Sequence, residues 1–235
     1  MKALQGLFFS LFSNLFVKKV VQDLTSGGVN EIPDDKKQMY QELLLPFKEL
    51  SVREEQGKSI VYQLTGREAS VVLDPTMLLE QSNWEKLERK PFCKFPSEYI
   101  LLYALGEKSD KFKCAVSKYG KIYEVFDIRT RNTREIAIGP AEFLYLIHHA
   151  QMIITDSFHA TVFSILYHKK VMTFNRKGIN MNSRIRSLAK TLKLEDKMDE
   201  EGNLILMQDI DFDEIDENIE KEKLKSIEFL NRSLN

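Results

Sequence analysis

Imidazole, guanidinium and carboxylate groups set the chemistry open to this chain, and His159 has the most suggestive setting. It lies in Thr155-Asp156-Ser157-Phe158-His159. The short apolar run Met152 to Ile154 comes before, as expected of a strand buried on both faces. After it, Phe158, Val162, Ile165 and Leu166 fall at helical spacing, with Phe163 beside them. Thr155, Asp156 and Ser157 are three candidate N-caps in a row. Lys169 and Lys170 suit the negative end of that helix, and Val171 to Phe174 is a second short strand. The segment therefore reads as strand, tight turn, helix, strand, one unit of a parallel α/β sheet.

Ligands of open α/β sheets bind where strand carboxyl ends meet helix amino ends. Backbone N–H groups near Ser157 to Ala160 make an anion cradle there. The helix dipole favours neutral imidazole at His159, but a neighbouring phosphate or carboxylate reverses that preference. The ring could then hold a proton near neutral pH and pass it to a substrate. The competing reading is that His159 only packs or caps, and the helix pattern alone does not separate the two.

Other candidates carry less. His148 and His149 fall on a helix expected over 141–150, where neighbours point about 100° apart. That makes them a poor metal pair, read as structural, and no metal constellation is visible. Cys93 and Cys114 form neither a metal motif nor a disulfide framework. Gly106 stands alone after a strand, so no dinucleotide or P-loop motif supports a cofactor. Arg53 follows a strand over 47–52, and its residue pattern favours an ion pair with Glu54 or Glu55 at the start of the next helix. Asp74 before Pro75 caps a turn. Arg129, Arg131 and Arg134 read as a solvated basic loop within reach of a phosphate.

The elements positioning these groups alternate as α/β. Strands are expected over 70–73, 99–105, 122–128 and 204–210, and helices over 34–45, 84–89, 109–118, 184–192 and 212–231. A proline-bearing linker at 90–96 suggests a division into residues 1–95 and 96–235. A net charge of −1 predicts no general attraction to nucleic acid or anionic membrane. No apolar run is long enough to span a bilayer. Leu4, Leu7, Phe8, Leu11, Phe12, Leu15 and Phe16 predict an amphipathic helix over 1–23. Lys18 and Lys19 stand where a signal peptide would have small residues, which favours a cytoplasmic protein, with peripheral membrane contact as a variant. The exposed phenylalanines of this helix predict a homo-oligomer.

Four segments in order resemble the polysaccharide pyruvyl transferase family. They are Leu50-Ser51-Val52-Arg53-Glu54 with Gly57; Val71 to Leu79 with Trp84; Thr155 to His159 followed by Val162-Phe163-Ser164; and Met181 to Ile185. Ala160 departs from the family's usual glycine. The family's amino-terminal Gly-Asn-x-Gly-Asp motif has no counterpart, and Gly27 stands where a Phe is usual. The resemblance thus implies a Rossmann-like parallel sheet with flanking helices, similar to the carboxyl-terminal lobe of a GT-B-like two-lobe transferase, with the amino-terminal lobe largely missing. It implies transfer of pyruvate from phosphoenolpyruvate to the hydroxyls of a sugar or lipid-linked saccharide, without a cofactor. By the same resemblance His159 is catalytic, while Arg53, Ser157, Phe158 and Arg184 bind substrate. Two other readings stand beside it: a truncated non-catalytic or interaction protein of this fold, and a GT-B-like glycosyltransferase using a nucleotide sugar.

Overall fold

The computed structural model of the chain describes residues 20–22, 32–93, 95–131, 138–175 and 182–234. They fall into two compact units, residues 1–78 with 217–235 and residues 79–216.

The first unit is built on a parallel three-stranded sheet in the order β1 (Val20–Gln22), β2 (Glu49–Val52), β3 (Ser70–Val71). The strand at Val20–Gln22 replaces the end of the helix expected over 1–23; residues 1–19 lie outside the described ones, and with them the expected oligomer surface. Helices α1 (Asp34–Leu44) and α2 (Glu55–Thr65) flank β2 in sequence. α2 buries Gly57, Ile60, Val61 and Leu64, spaced three, one and three residues apart, so one stripe faces inward. That stripe meets Ile32, Leu44, Leu50, Val52 and Ala69 in one core, with Tyr40 and Phe47 packed against it. α2 stops at Gly66, whose φ of 69° is left-handed and whose N–H returns to the Tyr62 carbonyl at 2.8 Å. Glycine takes this backbone at no steric cost.

The second unit carries β4 (Tyr99–Tyr103), β5 (Glu124–Asp127), β6 (Met152–Thr155), β7 (Lys170–Thr173) and β8 (Ile205–Leu206), in the order β5-β4-β6-β7-β8. The first four are parallel, and β8 closes the edge antiparallel to β7. Numbered within the unit the order is 2-1-3-4-5, a doubly wound Rossmann-like arrangement whose topological switch point lies between β4 and β6. All of β6 is buried, as a strand covered by helices on both faces must be. One core gathers Ile100, Leu102, Ala104, Phe112, Ala115, Met152, Ile154 and Phe174.

The unit's helices are α3 (Gln81–Glu85), α4 (Asp110–Tyr119), α5 (Ile128–Arg131), α6 (Pro140–His148), α7 (Phe158–Leu166) and α8 (Asn182–Thr191). The last helix, α9 (Phe212–Leu234), begins in this unit and continues into the first. There Ser226 receives the Leu73 N–H at 3.0 Å, far along the chain from it. α7 is buried from Ala160 through Leu166. Its Phe163 meets the Trp84 ring edge-on at 5.1 Å and Phe143 at 6.4 Å. Buried side chains of this size contribute about 1.5–3 kcal/mol each, so packing rather than helix propensity holds α7 against the sheet.

Several expected elements are shorter than the sequence suggests: the strands over 70–73, 99–105 and 122–128 are Ser70–Val71, Tyr99–Tyr103 and Glu124–Asp127. The strand over 204–210 is only Ile205–Leu206, and Asp209 beyond it adopts a left-handed φ of 49°. The helix expected at 84–89 is Gln81–Glu85, ending before Leu87. No helix among the described residues is long and apolar enough to cross a membrane.

Candidate functional site

The carboxyl end of β6 is where the second unit concentrates polar groups. Thr155 donates from Oγ1 to the Tyr103 carbonyl at 2.6 Å and accepts the Ser157 N–H at 3.0 Å. Asp156 takes the N–H of Leu105 at 2.6 Å and of Gly106 at 2.8 Å, tying the loop after β4 to the turn after β6. Ser157 is the N-cap of α7, accepting the Ala160 N–H at 3.4 Å, and its carbonyl takes the Thr161 hydroxyl at 2.9 Å. Three residues that look interchangeable as caps therefore have three different tasks. Asp156 holds the two sides of the switch point together, a role that no local pattern reveals.

This narrows the anion cradle expected near Ser157 to Ala160. The Ser157 and Ala160 amides are spent inside the turn. Ala160 is fully buried, so its methyl packs into the core instead of lining an opening.

The half-buried side chains at this turn are Phe158 and His159, while the flanking residues 152–157 and 160–167 are buried. Their rings meet edge-on with centroids 5.5 Å apart. Over the outer ring lies Arg184 of α8, its guanidinium carbon 4.9 Å from the Phe158 centroid. Such stacking contributes about 0.5–2 kcal/mol and orients a side chain that is otherwise long and mobile. The structure thus brings Ser157, Phe158, His159 and Arg184 into one neighbourhood.

Two buried acceptors sit at the same end of the sheet. β7 pairs with β6 in register Thr155 to Thr173, and the Phe174 N–H reaches the Thr155 carbonyl at 3.0 Å, so Asn175 stands level with the turn. Asn175 donates from Nδ2 to the Glu201 carbonyl at 3.2 Å, but its Oδ1 is buried with no hydrogen-bond partner among the described residues. Ser183 Oγ, in the first turn of α8, is in the same condition. Buried polar atoms left this way are uncommon. The basic loop is partly resolved into structure: Arg129 lies in α5 and donates to the Ala104 and Leu105 carbonyls at 3.1 and 3.4 Å. Exposed as it is, its guanidinium is tethered at the carboxyl end of β4. Arg134 and the side chain of Arg131 lie outside the described residues.

Arg53 belongs to the first unit. It follows β2 directly, is nine-tenths buried, and pairs with Asp74 through Nη1 and Oδ2. This overturns the ion pair expected with Glu54 or Glu55. Asp74 also caps the turn beyond it as foreseen, taking the Thr76 N–H at 3.0 Å and the Thr76 hydroxyl at 2.6 Å. Glu54 is itself buried, with Oε2 lacking a hydrogen-bond partner, as does the nearby Ser51 Oγ.

Comparison with curated proteins and with solved structures returns no match. The family model for polysaccharide pyruvyl transferase matches residues 23–178, about two thirds of the chain, including β2, its Arg53, β6 and the start of α7. With both strand–helix turns of the resemblance inside that match, the chain belongs to the polysaccharide pyruvyl transferase family.

Proposed function

We propose that the protein transfers a pyruvyl unit from phosphoenolpyruvate to two hydroxyls of a sugar, forming a cyclic ketal during cell-surface or exopolysaccharide biosynthesis. The observation that supports this best is the grouping of His159, Phe158 and Arg184 at the carboxyl end of β6, beside the switch point of the sheet.

The donor carries a carboxylate and a phosphate, and Arg184 offers the planar fork that binds such groups in bidentate fashion. In the reaction, carbon three of the enol gains a proton, which makes carbon two electrophilic. A sugar hydroxyl adds there and loses its proton. The bond from carbon two to the phosphate oxygen breaks, inorganic phosphate leaves, and a second hydroxyl adds to carbon two and loses its proton, closing the ketal. His159 is the general acid that protonates carbon three, at a helix start where a bound dianion favours the charged ring. Arg184 is a donor contact, and the orphaned Asn175 Oδ1 and Ser183 Oγ are acceptors suited to sugar hydroxyls.

Phosphate release from phosphoenolpyruvate in the presence of lipid-linked or nucleotide-linked sugars tests the reading. His159→Ala is expected to lower the rate about 10²–10⁴-fold, while Arg184→Ala mainly weakens donor binding. Binding of a nucleotide sugar without phosphoenolpyruvate would replace this reading with a glycosyltransferase, and binding of neither would leave a non-catalytic member of the fold.

A further inference from the structure

We propose that Glu88, His148 and His149 form a site for a zinc-like divalent cation, separate from the turn after β6. The objection that neighbouring histidines diverge holds only on a continuous helix. α6 ends at His148, and His149 is its C-cap, with φ −95° and ψ 1°. The chain turns there, and the two imidazole centroids come within 4.9 Å of each other.

The donor atoms are close to a coordination shell. One ligand atom from each of Glu88, His148 and His149 lies within 4.8 Å of the others. His148 Nδ1 stands 2.9 Å from Glu88 Oε1, and His149 Nδ1 stands 3.9 Å from Glu88 Oε2. Tetrahedral zinc with arms of about 2.0–2.1 Å needs donors about 3.3 Å apart, a value these separations bracket. Glu85 Oε1, 4.0 Å from His148 Nε2, lies just outside. His149 Nδ1 also touches the Tyr145 carbonyl at 2.9 Å, so an ion must draw it from that contact.

Three further features suit a cation. The site lies at the carboxyl end of a nine-residue helix, the negative end of its dipole. Both rings are held from behind: His148 stacks on Tyr167 at 4.5 Å and His149 on Tyr145 at 3.9 Å. The Tyr167 hydroxyl is buried with no hydrogen-bond partner among the described residues, leaving it able to donate beside the site. Two imidazoles and one carboxylate select zinc, nickel or copper over magnesium or calcium, and leave a fourth position for water. Such an ion would fasten the end of α3 to the end of α6.

Calorimetric titration of the tag-free full chain with zinc chloride, and separately with magnesium chloride, tests the site. One zinc per chain and no magnesium uptake are expected. Glu88→Gln and His149→Gln should each weaken zinc binding by more than the about 10–100-fold typical of outer-shell changes. His168→Ala and His159→Ala should leave it intact. His149 is exposed, so its variant is expected to keep the native far-ultraviolet circular dichroism. Absence of zinc binding, or binding that His149→Gln does not change, overturns the site; loss in His159→Ala moves the ion to the turn after β6.

Discussion

The turn after β2 and the turn after β6 share one topology, a parallel strand running into a helix, yet they spend their polar groups in opposite ways. At β6, Thr155, Asp156 and Ser157 satisfy neighbouring amides and one another, and the helix begins on a side-chain cap. At β2, α2 starts from Glu54 with no side-chain cap, and the turn buries the Arg53–Asp74 ion pair. The first arrangement is a scaffold built from hydrogen bonds. The second stores charge away from water, where each partner is costly without the other.

That contrast can be broken experimentally. Asp74→Ala breaks the buried Arg53–Asp74 pair, and the expected cost is about 3–5 kcal/mol, measured by urea unfolding. A loss below about 1 kcal/mol would mean that water reaches the guanidinium and that the two turns do not differ in kind. Asp156→Ala removes two charge-assisted bonds to amides, each contributing about 1.5–3 kcal/mol. It should destabilise the chain while also freeing the loop at Leu105 and Gly106, visible as faster amide exchange at those two residues. Ser157→Ala loses a single long cap bond, and about 0.5–1 kcal/mol is expected, the low end for N-caps; a larger loss would show that the cap also positions Phe158 and His159.

The start of α6 supplies the smallest effect. Glu142 receives the Gly139 N–H at 3.0 Å and the Arg89 Nε at 2.5 Å. Burial pushes its carboxyl up, but the Arg89 hydrogen bond and the backbone amides outweigh that, and it ends below its ordinary 4.5. A depressed carboxyl contributes stability above its unfolded pKa and loses it as pH falls through the folded value. Glu142→Gln should therefore flatten the stability curve below about pH 4.5 and leave it unchanged in slope near neutrality, with Arg89, three-quarters exposed, limiting the size.

Local pattern revealed the strand, helix and strand around His159, because hydrophobic period and cap residues are properties of adjacent positions. It revealed the turn at Asp74 for the same reason. It could not pair Arg53 with Asp74, 21 residues on, or Asp156 with Leu105 and Gly106, about 50 residues back. Those contacts depend on strand order, which no periodicity encodes. His149 lies at a boundary that the pattern did not place: it is the C-cap of α6 and not a helical residue. Arg184 needed the family resemblance to stand out, since its partner Phe158 lies on another helix.

Trp84 is the only tryptophan in the chain, and it is buried edge-on against Phe163 of α7. Its fluorescence therefore watches one unit and ignores the other. An emission shift that precedes or trails the loss of helical ellipticity would show the halves melting apart, with no label to attach.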